Sequence, residues 1–316
     1  MSRIVTAVLT LLLLAPLPAL AVPEPIALLH ARIDALAAHA PGQVAVDIED
    51  LTTGYRVGVR AATPMPAAST IKVPIMVEVF RQLEAGRFDF HTIVHVRNTD
   101  RDDGYGELAH APSGAPYTVS QLLRDMIDVS DNTAANMLLR LVGRTNVNAT
   151  MLSLGLEHTV LTGPIRTNHW SVRTALRSTP ADMVRLLAMM ARGKLVDPWA
   201  SHEMIAILEH DEFDSLLPEP LPSGTLIAHK TGSFHDTLND VGIVYEPNAP
   251  YAIAVMTTGL DDRQLGRVWI RDLSATTYHS EELLAQWRLQ SGITEFPGEV
   301  PLDSPDISSW TSGAGR

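Results

Sequence analysis

Strand-like alternation lies near both ends of this chain, and helical periodicity fills the stretch between. Residues 43–49 place Val44, Val46 and Ile48 on one face, Thr52-Thr53-Gly54 turns the chain, and residues 55–59 read as a return strand. Far downstream, residues 226–228, 241–245 and 251–257 have the same character. Between them, helices are expected from near Thr70 through Val77, Phe80 and Leu83 to Gly86, from Thr118 and Ser120 through Met126, over residues 132–141, and after Thr179-Pro180. A further helix, with Ile26, Leu29, Ile33 and Leu36 on one stripe, precedes the first strand, and residues 280–289 close the chain as a helix. These patterns predict an α/β chain in which one sheet is assembled from both ends around a helical insertion.

The 316 residues are 46% hydrophobic and 19% charged, which allows a large core. The first residues read as an export signal, with Arg3, the apolar run 4–14, prolines at 16 and 18, and Ala19-Leu20-Ala21 as a cleavage site. The expectation is therefore a periplasmic or secreted protein without a membrane anchor. It has a signal peptide over 1–21, a catalytic domain over 22–290 and a disordered Pro/Gly/Ser-rich tail over 291–316. Within the domain, 22–65 and 196–290 form a sheet lobe and 66–195 a helical lobe. No cysteine is present, so disulfides and thiolate metal sites are excluded. The formal charge of −12 argues against nucleic acid or an anionic membrane as partner. No cofactor or metal is expected, and a monomer is. The run Glu209-His210-Asp211-Glu212 reads as a solvated loop, because adjacent residues rarely converge on one ion.

Three short strings carry the chemistry: Ser69-Thr70-Ile71-Lys72, Ser130-Asp131-Asn132 and Lys230-Thr231-Gly232. By composition a chain of this length holds on the order of one S-x-x-K, whereas S-D-N or K-T-G arises in roughly one such chain in twenty. Ser69 and Lys72, three apart on a helix, share a face. A serine hydroxyl needs a base, and a desolvated lysine held near a second cation, here Lys230, is neutral enough to serve. The Ser130 hydroxyl relays a proton to a leaving nitrogen, Asn132 holds a substrate amide, and Asp131 braces the loop from behind. Gly232 lets another backbone approach, while Thr231 and Ser233 offer hydroxyls to a carboxylate or carbonyl. The backbone N–H groups of Ser69 and Ser233 form an oxyanion hole. Tyr105 is expected on the cleft wall, His235 over its mouth, and His229 on the opposite side of its strand in a structural role.

These strings are the motif set of class A β-lactamases and penicillin-binding proteins. The segment 130–138, SDNTAANML, Pro222-Ser223-Gly224 and Thr257-Thr258-Gly259 also resemble the class A family. The resemblance covers about residues 25–289 and implies a five-stranded antiparallel sheet flanked by helices, an all-helical lobe, and an active site between them.

Two departures follow from the resemblance. Class A enzymes use a glutamate, in an E-x-x-L-N signature, to activate the water that releases the acyl group. Residues 159–178 contain neither Glu nor Asp, and family spacing lands near Asn168 and His169, the candidates for positioning water instead. The family also places an arginine beside the K-T-G strand to meet the drug carboxylate, and residues 193–262 contain none. Asp236 and Asp240 follow Lys230 there, and a carboxylate beside that strand would disfavour an anionic substrate. The expectation is an exported serine hydrolase that acylates on a β-lactam or cell-wall peptide amide and deacylates slowly. A competent β-lactamase with an unrecognised deacylating group, a D,D-peptidase or amidase, and a non-catalytic penicillin-binding domain stay open as alternatives.

Overall fold

The computed structural model describes residues 24–167 and 172–291. The expected signal peptide, residues 292–316 of the tail, and Asn168, His169 and Trp170 lie outside the described residues. The main sheet holds β1 (Gln43–Asp50), β2 (Arg56–Val59), β3 (Leu226–Phe234), β4 (Thr237–Tyr245) and β5 (Tyr251–Thr258), in the order β2-β1-β5-β4-β3. All neighbours are antiparallel, with Val46 opposite Val255 and Lys230 opposite Val241. The N-terminal hairpin therefore joins the C-terminal strands through β1, and β3, which carries the K-T-G string, is left as an edge.

The longer helices are α1 (Glu24–Ala38), α2 (Lys72–Glu84), α3 (Val119–Ile127), α4 (Asn132–Val142), α5 (Arg144–Ser153), α6 (Pro180–Ala191), α7 (Pro198–Leu208) and α8 (Arg263–Ser291). Strand alternation divides the core in two. Val44, Val46 and Ile48 point to α1 and α8, where they pack with Leu29, Ile33, Trp269 and Leu273. Ala45, Ala252, Ala254 and Met256 face the other way, into a cluster shared with Met183 and Leu187 of α6 and the remaining helices. The helix ends follow their capping chemistry. Thr118 accepts from Gln121 N, and Thr179 accepts from Asp182 N ahead of Pro180.

The sequence reading falls short in three places. The K-T-G string lies inside β3 rather than after a strand. The last helix begins at Arg263, well before the residues whose apolar spacing reveals it, because its first turns expose Leu265 and Val268. Helices α5 and α7 carry no clear apolar stripe: α5 buries only Val147, Thr150 and Met151, and α7 is apolar on most sides.

Helix α2 is the centre of the helical lobe. Phe80, with no solvent exposure, meets Phe90 edge-on at 5.7 Å and Trp199 at 6.2 Å between ring centres. Phe80→Ala is expected to cost about 3–5 kcal/mol of stability in denaturant unfolding, from lost transfer energy and the cavity left behind.

Candidate active site

Ser69 lies in a 3₁₀ turn, Ala68–Ile71, that runs directly into α2 at Lys72. Pro74 falls in the first turn of α2, where a missing N–H costs no helical bond. The entry to this turn is strained, since Ala68 has φ +48°. It is held from the sheet: Asn239 of β4 donates to Pro66 O at 2.8 Å and Ala67 O at 3.1 Å, while its own oxygen accepts from Thr257 N. Gly232 of β3 lies so close that an added Cβ would stand 3.0 Å from Ala67 O. This is the backbone approach expected at that position.

The second string also sits on strained backbone, with Ser130 at φ +58°. Asp131 fixes it from behind, accepting from Ala134 N at 2.7 Å and Leu108 N at 2.9 Å. Asn132 N donates to Tyr105 O, which ties the 101–107 segment to the start of α4. Lys72 has no solvent exposure and donates to Ser130 Oγ at 2.9 Å, Asn132 Oδ1 at 2.8 Å and the Ser130 carbonyl. Burial, then the positive charge of Lys230, holds the Lys72 amine well below the usual lysine range, against the opposing pull of Asp131, Asp211 and Asp102. Without its third proton the amine still serves the two oxygens that only accept, and its lone pair turns to the Ser130 hydroxyl.

Lys230 is equally buried, and its ammonium stands 3.0 Å from Asp211 Oδ2 and over the Phe213 ring at 5.6 Å. Burial lowers its pKa and Asp211 opposes that shift. The same carboxylate oxygen accepts from Thr231 N at 2.8 Å and Thr231 Oγ1 at 3.2 Å. Asp211 is thus not part of a solvated loop: the segment after α7 folds under β3 and delivers a counter-charge to Lys230. Sequence spacing offers no sign of this pairing between residues nineteen positions apart. Among the described residues no group of three His, Asp or Glu side chains converges as a metal site would.

Ser69, Ser130, Thr231, Ser233 and Tyr105 line one small pocket together with Phe213. Tyr105 and Phe213 meet edge-to-face at 5.7 Å and form its aromatic wall. Of the Ser69 and Ser233 amides, the structure places both residues at this pocket. His229 is buried and bonds Asp240 Oδ1 at 3.0 Å, in a structural pairing. His235 sits exposed in the turn after β3, edge-on against Phe234, and is not one of the residues that line the pocket.

The two carboxylates that follow Lys230 are both tied to the protein. Asp240 is fully buried and engaged by His229 and Leu217 N, and Asp236 accepts from Gly259 N. An arginine does reach the strand. Arg263, the first residue of α8 and one position beyond the arginine-free span, donates to Ser233 Oγ. It escapes notice in sequence because it arrives from a helix rather than from a neighbouring strand.

A serine at a helix start, with a fully buried lysine one turn on whose amine reaches the Ser130 hydroxyl, is the arrangement of a serine hydrolase. The chain belongs to the β-lactamase enzyme family, whose sequence model matches residues 28–280. It is 31% identical to β-lactamase L2 of Stenotrophomonas maltophilia over 230 residues, 69% of this chain and 73% of that protein. Among solved structures it resembles PBP-A with TM-score 0.76 and 28% identity, covering 81% of this chain and 96% of that one. A mutant of PBP-A, solved as an acyl-enzyme complex with penicillin G, matches at the same TM-score. A β-lactamase from Sphaerobacter thermophilus matches with TM-score 0.75 and 28% identity, covering 82% and 97% of the two chains.

Near the site, burial raises Asp128 to about 6, opposed by His210 and Arg124, and its Oδ1 has no protein partner. The folded protein therefore holds a proton that the unfolded chain has released between about pH 4 and 6, and stability falls as pH rises through that window. Asp128→Asn is expected to raise Tm at pH 7.5 by about 1–3 °C, a figure reduced for solvent screening. The gain should vanish at pH 4, as followed by thermal scanning.

Proposed function

We propose that this chain is an exported serine hydrolase that forms an acyl-enzyme at Ser69 with a β-lactam or a related carboxylate-bearing amide and releases it slowly. The observation that carries this reading is the fully buried Lys72, whose amine, held well below the usual lysine range by burial and by Lys230, faces the Ser130 hydroxyl at 2.9 Å. Ser69 Oγ attacks the carbonyl carbon and its proton passes to Lys72. The Ser69 and Ser233 N–H groups hold the oxyanion. As the carbon–nitrogen bond breaks, Ser130 gives its proton to the leaving nitrogen and regains one from Lys72. Thr231, Ser233 and Arg263 receive the carboxylate, Asn132 the amide side chain, and Tyr105 the flat face of the substrate.

Slow release follows from the loop. Neither 159–167 nor 172–178 contributes a carboxylate, while Asn168 and His169 stand outside the described residues. The likeness to PBP-A, a mutant of which was solved with penicillin G as an acyl-enzyme, supports this reading. A second reading, a competent β-lactamase whose water is placed by Asn168 or His169, is favoured by the identity to β-lactamase L2. Export rests on residues 1–21, and no described helix is long and apolar enough to cross a membrane.

Intact-protein mass spectrometry after exposure to benzylpenicillin should show an adduct that persists for minutes and is absent from Ser69→Ala. Rapid hydrolysis without an adduct, lost in His169→Ala or Asn168→Ala, would select the second reading. Arg263→Ala should slow acylation about 10–100-fold, the loss of one charge-assisted hydrogen bond of about 1.5–3 kcal/mol.

A further inference from the structure

One buried carboxylate at the cleft has no role in the chemistry above. Asp102 belongs to the 101–107 segment, across from the loop in which the family resemblance seeks a glutamate, and is 6% exposed. Its Oδ1 accepts from Asn132 Nδ2 at 2.8 Å, Thr167 Oγ1 at 2.9 Å and Gly104 N at 3.2 Å. Its Oδ2 accepts from Thr167 N at 2.8 Å. Its backbone is fixed as well, since N donates to Thr133 Oγ1 and O accepts from the same hydroxyl.

A chain of contacts results. Lys72 Nζ donates to Asn132 Oδ1, and Asn132 Nδ2 donates to Asp102 Oδ1. An Asn amide can flip, and a flipped Asn132 would set its NH₂ against the Lys72 amine; the Asp102 carboxylate forbids that flip because it only accepts. The packing here is close. A Cβ on Gly104 would fall 2.1 Å from Thr167 Cγ2 and 2.8 Å from Asn132 Nδ2, so glycine is required for the two segments to meet. The Asp102 oxygens already accept four hydrogen bonds from Asn132, Thr167 and Gly104, which argues for orientation rather than base catalysis.

We propose that Asp102 is a positioning residue for acyl-enzyme formation, fixing the Asn132 amide that holds Lys72 and joining that pair to the 163–167 segment through Thr167. The inference rests on the acylation chemistry proposed above. The charged groups facing Lys72 are Lys230 from β3, Asp131 at the head of α4, Asp211 from the segment after α7, and Asp102 from 101–107. The negative charge of Asp102 favours the protonated, inactive amine. Removing it should move the acidic limb of acylation to lower pH even as misplacement of Asn132 slows the step.

The test measures the second-order acylation constant of the full chain with benzylpenicillin by intact mass across pH 5–9. In Asp102→Asn it is expected to fall about tenfold or more, with the acidic limb displaced to lower pH. An unchanged constant, or a fall without movement of the limb, overturns the proposal, the latter because a purely structural role would leave the limb in place. Absence of any adduct on the wild type overturns the proposed function and this inference with it; an adduct on the wild type with Asp102→Asn indistinguishable overturns this inference alone. Should Asp102→Asn fail to fold, Thr167→Val retains the carboxylate and removes one partner. It is expected to acylate a few-fold more slowly with the limb unmoved, and a constant equal to wild type overturns the proposal.

Discussion

Two lysine side chains without solvent exposure stand at the seam where the sheet meets the helical lobe, and most of the site exists to make that burial tolerable. An ammonium taken out of water loses several kcal/mol unless its protons are met, so each lysine has its own set of oxygens. Lys230 has the Asp211 carboxylate, and Lys72 has the Ser130 carbonyl, the Ser130 hydroxyl and the Asn132 amide. The hydrogen bonds of Lys72 go to a carbonyl, a hydroxyl and an amide rather than to a carboxylate, and Lys230 beside it repels its charge. The result is an asymmetric pair in which Lys230 keeps a counter-ion and Lys72 is pushed toward the neutral amine.

That asymmetry demands backbone that ordinary secondary structure does not supply. Ser130 presents both its hydroxyl and its carbonyl to Lys72 only by adopting positive φ, and Ala68 turns the chain into the Ser69 helix in the same region of conformational space. Strain of this kind persists where the surroundings over-determine it. Asp131 does so for the Ser130 loop through the Ala134 and Leu108 amides, and Asn239 does so for the Ser69 turn from the middle of the sheet. The two strained points lie ahead of different helices, α2 and α4, and β3, the edge strand, is the element that both must fit.

Much of this was legible in sequence because it is local. The alternation of Val44, Val46 and Ile48 marks a strand with one face buried, Pro74 and Pro180 mark first turns, and Thr118 and Thr179 mark caps. The three strings announce a serine hydrolase because nucleophile, amine and relay are drawn from neighbours a helix or a loop keeps together. What escaped reading acts across long separations. Asp211 looked like one member of an exposed acidic run, yet it lies beneath β3. Arg263 lay one residue outside the span in which an arginine was sought, at the head of a helix whose start has no apolar signature. Asp102 and Asn239 had no motif at all.

The candidate reacting groups and their class of chemistry are legible in sequence, since helix periodicity sets Ser69 and Lys72 on one face and the S-D-N and K-T-G strings name Ser130 and Lys230 as their company. It is equally plain there that no carboxylate comes from residues 159–178. The electrostatics and surroundings of that chemistry come from the folded arrangement: which lysine lies beside a carboxylate, which acid that is, and which arginine meets Ser233. Those outcomes depend on burial and on charges brought together from distant parts of the chain, and desolvation and Coulomb interactions are functions of distance in space, which spacing along a sequence does not encode.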